Sequence, residues 1–261
     1  MFPIRDDNPH FLVPYATYCI IFLNIIGWIF FQGMGIEPAL SESVCRLGLI
    51  PGELLQTVPA GTRFQVGPNS VCVLGSVPGW HTVITSMFMH GGWLHIAGNM
   101  WFLWIFGNNV EDSMGSIRFV VFYLLCGLLA AGLQTAINPE SAVAMVGASG
   151  AIGGVMGAYI LLYPRVHVHM LIFFGFFFTT IAVPAVLMLG YWLVLQLIGG
   201  FGAVGSQEGG VAFWAHIGGF LGGAALIFLF RNPRLLEKHP YYGWSRRRLP
   251  TRSWKKIKRY Q

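Results

Sequence analysis

Six stretches of mostly apolar residues, each near the length that crosses a bilayer, run through this 261-residue chain and leave it little choice of solvent. They centre on residues 14–32, 91–107, 118–137, 147–163, 170–198 and 211–230. A spanning helix needs about 20 such residues. Hydrophobic residues make up 55% of the chain and charged ones only 10%, so the sequence reads as one all-α polytopic membrane protein, a six-helix bundle without a second domain. Its parts are an N-terminal segment (1–13), a membrane domain (14–230) with a long outer loop (33–90), and a basic tail (231–261). The first stretch reads as a retained anchor: Arg5, Asp6 and Asp7 precede it, and its Ile/Phe-rich run ends in no small-residue cleavage site.

The net charge of +6 is not a nucleic-acid footprint, because 11 of the 16 Lys and Arg lie between Arg231 and Gln261. That is a solvated tail in reach of anionic lipid. Basic residues favour the cytoplasmic side, which places the tail inside, and an even number of spans brings the N-terminus inside too. Arg118 and Arg165 then fall in inner loops, whereas the loops around 138–145 and 201–210 carry no Lys or Arg. A prokaryotic-type plasma membrane is the expected host.

The outer loop mixes Gly, Pro and polar residues with short apolar runs such as 47–55, which suggests short amphipathic helices in the interface. Cys45 and Cys72 both fall in it. They are either a disulfide of an oxidising compartment or two free thiols; spacing alone leaves both open. Glu111, Asp112, His167 and His169 sit at inner helix ends and read as ordinary solvated or interfacial groups.

Ionisable and strongly polar groups inside a bilayer are costly, so their positions carry the functional information. His95 and Asn99 lie in the second stretch, Ser149 in the fourth and His216 in the sixth. The topology makes these three helices parallel, and with a rise of about 1.5 Å per residue it sets Ser149 and His216 about 5–10 Å below the outer edge. Gly147, Gly150, Gly153, Gly154 and Gly157 line the fourth stretch, and Gly218, Gly219, Gly222 and Gly223 the sixth. Such small-xxx-small patterns let two helix backbones approach closely.

Serine is a weak nucleophile until a base takes its proton, and imidazole suits that task near neutrality. Ser149 and His216 are therefore the expected nucleophile and base. Acyl transfer also needs donors aimed at the developing oxyanion. His95 and Asn99, one turn apart on one face, offer side-chain N–H groups. Ser149 near a helix start offers its own N–H, with Gly147 and Gly150 leaving the backbone open. No Asp or Glu shares this depth, so the expectation is a dyad without a carboxylate orienter.

These residues resemble the rhomboid intramembrane proteases. The matching pieces are His95-Ile-Ala-Gly-Asn99, Gly147-Ala148-Ser149-Gly150 and Ala215-His216-Ile217-Gly218-Gly219. The resemblance implies a six-helix core with a cavity open to the outside, cleaving transmembrane segments of other membrane proteins without metal or organic cofactor. It also implies a mobile fifth helix, a part that the Pro184 interruption would suit. Two positions depart from the family: His81 follows Trp80 where Arg is common, and Gly153 stands where some members carry an aromatic ring against the catalytic histidine. Something else must then hold His216, Trp214 or a hydrogen bond being the alternatives.

Three other classes fit less well. A catalytically silent relative that binds membrane clients would usually lack Ser or His, and a transporter of inverted repeats would show internal symmetry, which is absent. A zinc protease needs two helical histidines four apart with a glutamate between, whereas His90 and His95 are five apart.

Overall fold

Five of the six apolar stretches fold as helices near their expected bounds, and the remaining one folds differently. The structure, a computed structural model, describes residues 2–67, 70–175, 177–203, 210–237 and 239–243; most of the basic tail lies outside these residues. In chain order come β1 (Phe2–Asp6), α1 (Tyr15–Ile26, continued to Phe31 by a π turn), α2 (Ala39–Leu47), α3 (Pro51–Leu54), β2 (Arg63–Gly67), β3 (Ser70–Val73) and α4 (Thr82–Thr85). The bundle continues with α5 (Trp93–Asp112), α6 (Ser116–Ile137), α7 (Ser149–Leu162), β4 (His167–Phe174), β5 (Phe177–Pro184), α8 (Ala185–Gly202), α9 (Phe213–Phe230) and α10 (Pro233–Leu236). By length and apolarity, α6, α8 and α9 are each sufficient to cross a membrane. The α5 helix has the length but carries His95, Asn99, Asn108, Asn109, Glu111 and Asp112.

Residues 170–184 are not the first half of a fifth spanning helix. They form most of an antiparallel hairpin, β4 with β5, and β1 adds a third strand along β4. Val, Ile, Thr and Phe dominate the segment, residue types that suit a pleated surface. Gly175 turns the chain at φ +60, a conformation that favours glycine. Pro184 does not interrupt a helix; it is the N-cap of α8, at the end where proline is tolerated. Val168 and Met170 alternate into the core while His169 faces the other way and pairs with Asp7 at 2.8 Å.

Glu111 and Asp112 are buried rather than solvated, with 1% and 5% exposure. The reason is the start of α1, whose N-cap is Pro14 and offers no side-chain acceptor. The first N–H groups of a helix lack intrahelical partners. Glu111 accepts from Ala16 N (3.0 Å), Thr17 N (2.8 Å) and Thr17 Oγ1 (2.7 Å), and Asp112 accepts from Phe11 N and Leu12 N. Both carboxylates also oppose the positive end of that helix dipole. Nearby, Asp6 accepts from Tyr159 Oη and from Asn109 Nδ2, and burial pushes its carboxyl up to about 7.

At the other end of the bundle the long loop between α1 and α5 folds into its own short elements. Cys45 on α2 and Cys72 on β3 are joined in a disulfide. The loop grips the segment that leads to Ser149: Leu49 bridges Met145, Gly52 N donates to Ser141 O, and Gly147 N donates to Ser86 O at 2.9 Å. That segment is therefore tethered before α7 begins.

Candidate active site

The glycines of α7 and α9 determine how near Ser149 comes to His216. A methyl group on Gly219 would fall on the carbonyl of Gly150, and one on Gly223 on the carbonyl of Gly154. Gly157 is pressed against the Phe220 carbonyl, and a Cβ at Gly153 would sit 2.9 Å from His216 O. The other two α9 glycines serve a different neighbour: Gly218 and Gly222 face Leu129 and Leu133 of α6. The α9 helix is thus wedged between α6 and α7, with backbone against backbone on the α7 side.

Held so closely, Ser149 Oγ donates to His216 Nε2 at 2.7 Å. The same imidazole donates from Nδ1 to Gln196 Oε1 on α8, also at 2.7 Å. Trp192, one turn before Gln196, lies over the ring with centroids 5.8 Å apart. Sequence reasoning missed Gln196. A glutamine in an apolar helix is a legible signal under the rule that polar groups at depth are informative. Trp214 does not hold the base: its ring packs edge-on against Phe201, and its indole N–H has no partner among the described residues.

His95 accepts from Gly91 N through Nδ1 (3.2 Å), which leaves its proton on Nε2. That Nε2 lies against Gly147, where an added Cβ would stand 2.7 Å from it and 3.5 Å from Asn99 Nδ2. Gly147 also sits at φ +121, so glycine is required there twice over. Its own N–H donates to Ser86 O, so Gly147 contributes space and not a free donor. Asn99 Nδ2 is buried and unpaired among the described residues. Ser149 is the first residue of α7, where a backbone N–H has no acceptor within its helix.

His95, Asn99, Ser149, Trp192 and His216 line one cavity of about 510 Å³. Its lining also includes the apolar side chains of Phe102, Ile152 and Met156. A serine hydroxyl bonded to an imidazole, with a buried amide donor lining the same cavity, is an arrangement that acyl transfer can use.

Comparison with known proteins agrees with the fold. The family model for the Rhomboid domain matches residues 78–233. Rhomboid-like protein 11, chloroplastic, of Arabidopsis thaliana is 36% identical over 100 residues, covering 38% of this chain and 35% of that protein. Rhomboid protease GluP of Bacillus subtilis (strain 168) is 32% identical over 163 residues, 62% of this chain and 29% of that protein. RHOMBOID-like protein 4 of Arabidopsis thaliana is 26% identical over 227 residues, 87% and 48% of the two. The chain thus spans between about a third and a half of these relatives, which come from plants as well as a bacterium and so do not favour a prokaryotic membrane. A glycine-seamed helical bundle, a Ser149–His216 pair at its cavity and a domain match over more than half of its length together make this chain an integral membrane protein of the rhomboid family.

Proposed function

We propose that the chain is an intramembrane serine endopeptidase that cleaves transmembrane segments of other membrane proteins near the extracytoplasmic face. The observation that carries the reading is the 2.7 Å bond between Ser149 Oγ and His216 Nε2, in the same cavity as the buried Asn99 Nδ2. Ser149 attacks the scissile carbonyl while His216 takes its proton. The oxyanion is met by His95 Nε2–H, Asn99 Nδ2–H and the Ser149 N–H. His216 then protonates the leaving amine, and a water activated by the same imidazole releases the acyl group from Ser149.

In this reading six helices cross the membrane with both termini in the cytoplasm, and the basic tail from Arg231 meets anionic lipid. Ser149 lies at the start of α7 and His216 in the first turn of α9, so a substrate is cut in the outer part of its membrane segment. Helical peptide bonds are shielded by their own hydrogen bonds, so the substrate must unwind there first. Small residues near the cut ease that step and fit beside Phe102 and Trp192.

The test is a tagged single-span reporter with small residues near its outer membrane edge, co-expressed with wild type or with Ser149→Ala. Cleavage by the wild type alone, with both proteins inserted equally, is the expected result. Equal cleavage by the two overturns the assignment.

A further inference from the structure

We infer that Gln196 is a positioning residue for His216, a neutral third member of the catalytic array supplied by α8. The inference rests on the proposed Ser149–His216 chemistry and adds the group that keeps the base in its working tautomer. Nε2 of an imidazole accepts from a serine hydroxyl only when its own proton is on Nδ1. A proton on Nδ1 needs an acceptor, and in a buried site an unmet donor is costly. Gln196 Oε1 stands 2.7 Å from Nδ1 and is that acceptor. Gln196 is itself 9% exposed, so water does not compete freely for the bond.

The amide also fixes the ring's rotation. Nδ1 is bonded on one side and Nε2 on the other, so the imidazole plane is set by two contacts that differ in origin: Ser149 from α7 and Gln196 from α8. Trp192, on the same face of α8, covers the ring at 5.8 Å and stacks on Phe220. Gly153 explains why this help comes from α8. Any side chain there would run into the His216 carbonyl at 2.9 Å, so α7 has no room for a ring against the imidazole. A carboxylate orienter would add charge to an apolar helix, whereas an amide supplies the acceptor without it.

The test uses full-length protein in detergent or in vesicles and compares wild type, Gln196→Met and Gln196→Glu. Methionine fills similar volume without an acceptor, and glutamate restores one. A positioned base contributes about 100- to 10,000-fold to a rate, so losing its alignment is expected to lower kcat about 10- to 100-fold. KM should stay within about twofold, because Gln196 does not touch substrate. Gln196→Glu should recover most of kcat. Independently of any substrate, 15N chemical shifts of His216 should report the Nδ1–H tautomer in wild type and its loss in Gln196→Met. Wild-type kcat retained in Gln196→Met, or an Nε2–H tautomer in wild type, overturns the inference. If wild type cleaves no better than Ser149→Ala, the protease reading fails, and the tautomer measurement still decides the role of Gln196. If Gln196→Met does not insert, the wild-type tautomer and Gln196→Glu turnover decide it.

Discussion

The α9 helix has two unlike flanks, and His216 depends on both. Toward α7 the contact is backbone on backbone: Gly219 and Gly223 meet the carbonyls of Gly150 and Gly154 with no side chain between. Toward α8 the contact is made by side chains, with Trp192 and Gln196 reaching the imidazole and Phe213 lying over Gly199. A carbonyl in a helix cannot move without unmaking the helix, whereas a ring or an amide changes rotamer at small cost. The first flank sets the distance between Ser149 and His216. The second sets the orientation of the base, and it is the adjustable one.

The largest effect should come from the rigid flank. Overpacking a core costs about 1–3 kcal/mol where neighbours relax. Gly219→Val meets a helix carbonyl that cannot, so we expect the upper end or beyond, with loss of inserted, protease-resistant protein and of all cleavage. Retained activity in Gly219→Val would break the contrast between the flanks. Next is Asn99→Ala, which touches neither flank and removes one unpaired donor. It should leave Tm unchanged and lower kcat about 100- to 1000-fold, the usual loss for one oxyanion donor. A smaller effect is expected on the adjustable flank: Gly199→Ala meets only the Phe213 ring and should cost about 1 kcal/mol or less, read as a shift of a few degrees in Tm.

A separate effect lies far from both flanks and concerns pH. Burial raises the Asp6 carboxyl to about 7 from an ordinary 3.8, so the folded state holds a proton that the unfolded chain releases. Its contribution to stability is therefore full below about pH 4 and is lost as pH rises through about 7. His239, which burial lowers to about 4 from 6.5, runs the other way, its contribution being lost as pH falls from about 6.5 to about 4. The difference in Tm between wild type and Asp6→Asn isolates the first group: the wild-type advantage should shrink from pH 5 to pH 8. A constant difference would remove Asp6 from the account.

Much of this was legible in the sequence because membrane solvent makes polar residues conspicuous. Ser149, His216, His95 and Asn99 stood out against apolar neighbours, and the four-residue spacing of the glycines marked the seam between α7 and α9. Three things were not legible, each for a physical reason. The hairpin of β4 and β5 is as hydrophobic as a spanning helix, so composition did not separate them; the β-branched residues around Gly175 and the cap role of Pro184 were the available signals. Glu111 and Asp112 are satisfied by N–H groups about 95 residues away, a partnership no local pattern encodes. Gln196 was visible as a residue, but nothing in its local sequence says that it faces His216, a contact between helices that only packing sets.

The most direct test of the central claim, that one serine is made nucleophilic by one histidine in this cavity, is labelling of the full chain with a fluorophosphonate serine-hydrolase probe, followed by peptide mass spectrometry. The account predicts a single adduct on Ser149 that disappears in His216→Ala. An adduct on another serine, or labelling of Ser149 at an undiminished rate in His216→Ala, would contradict it.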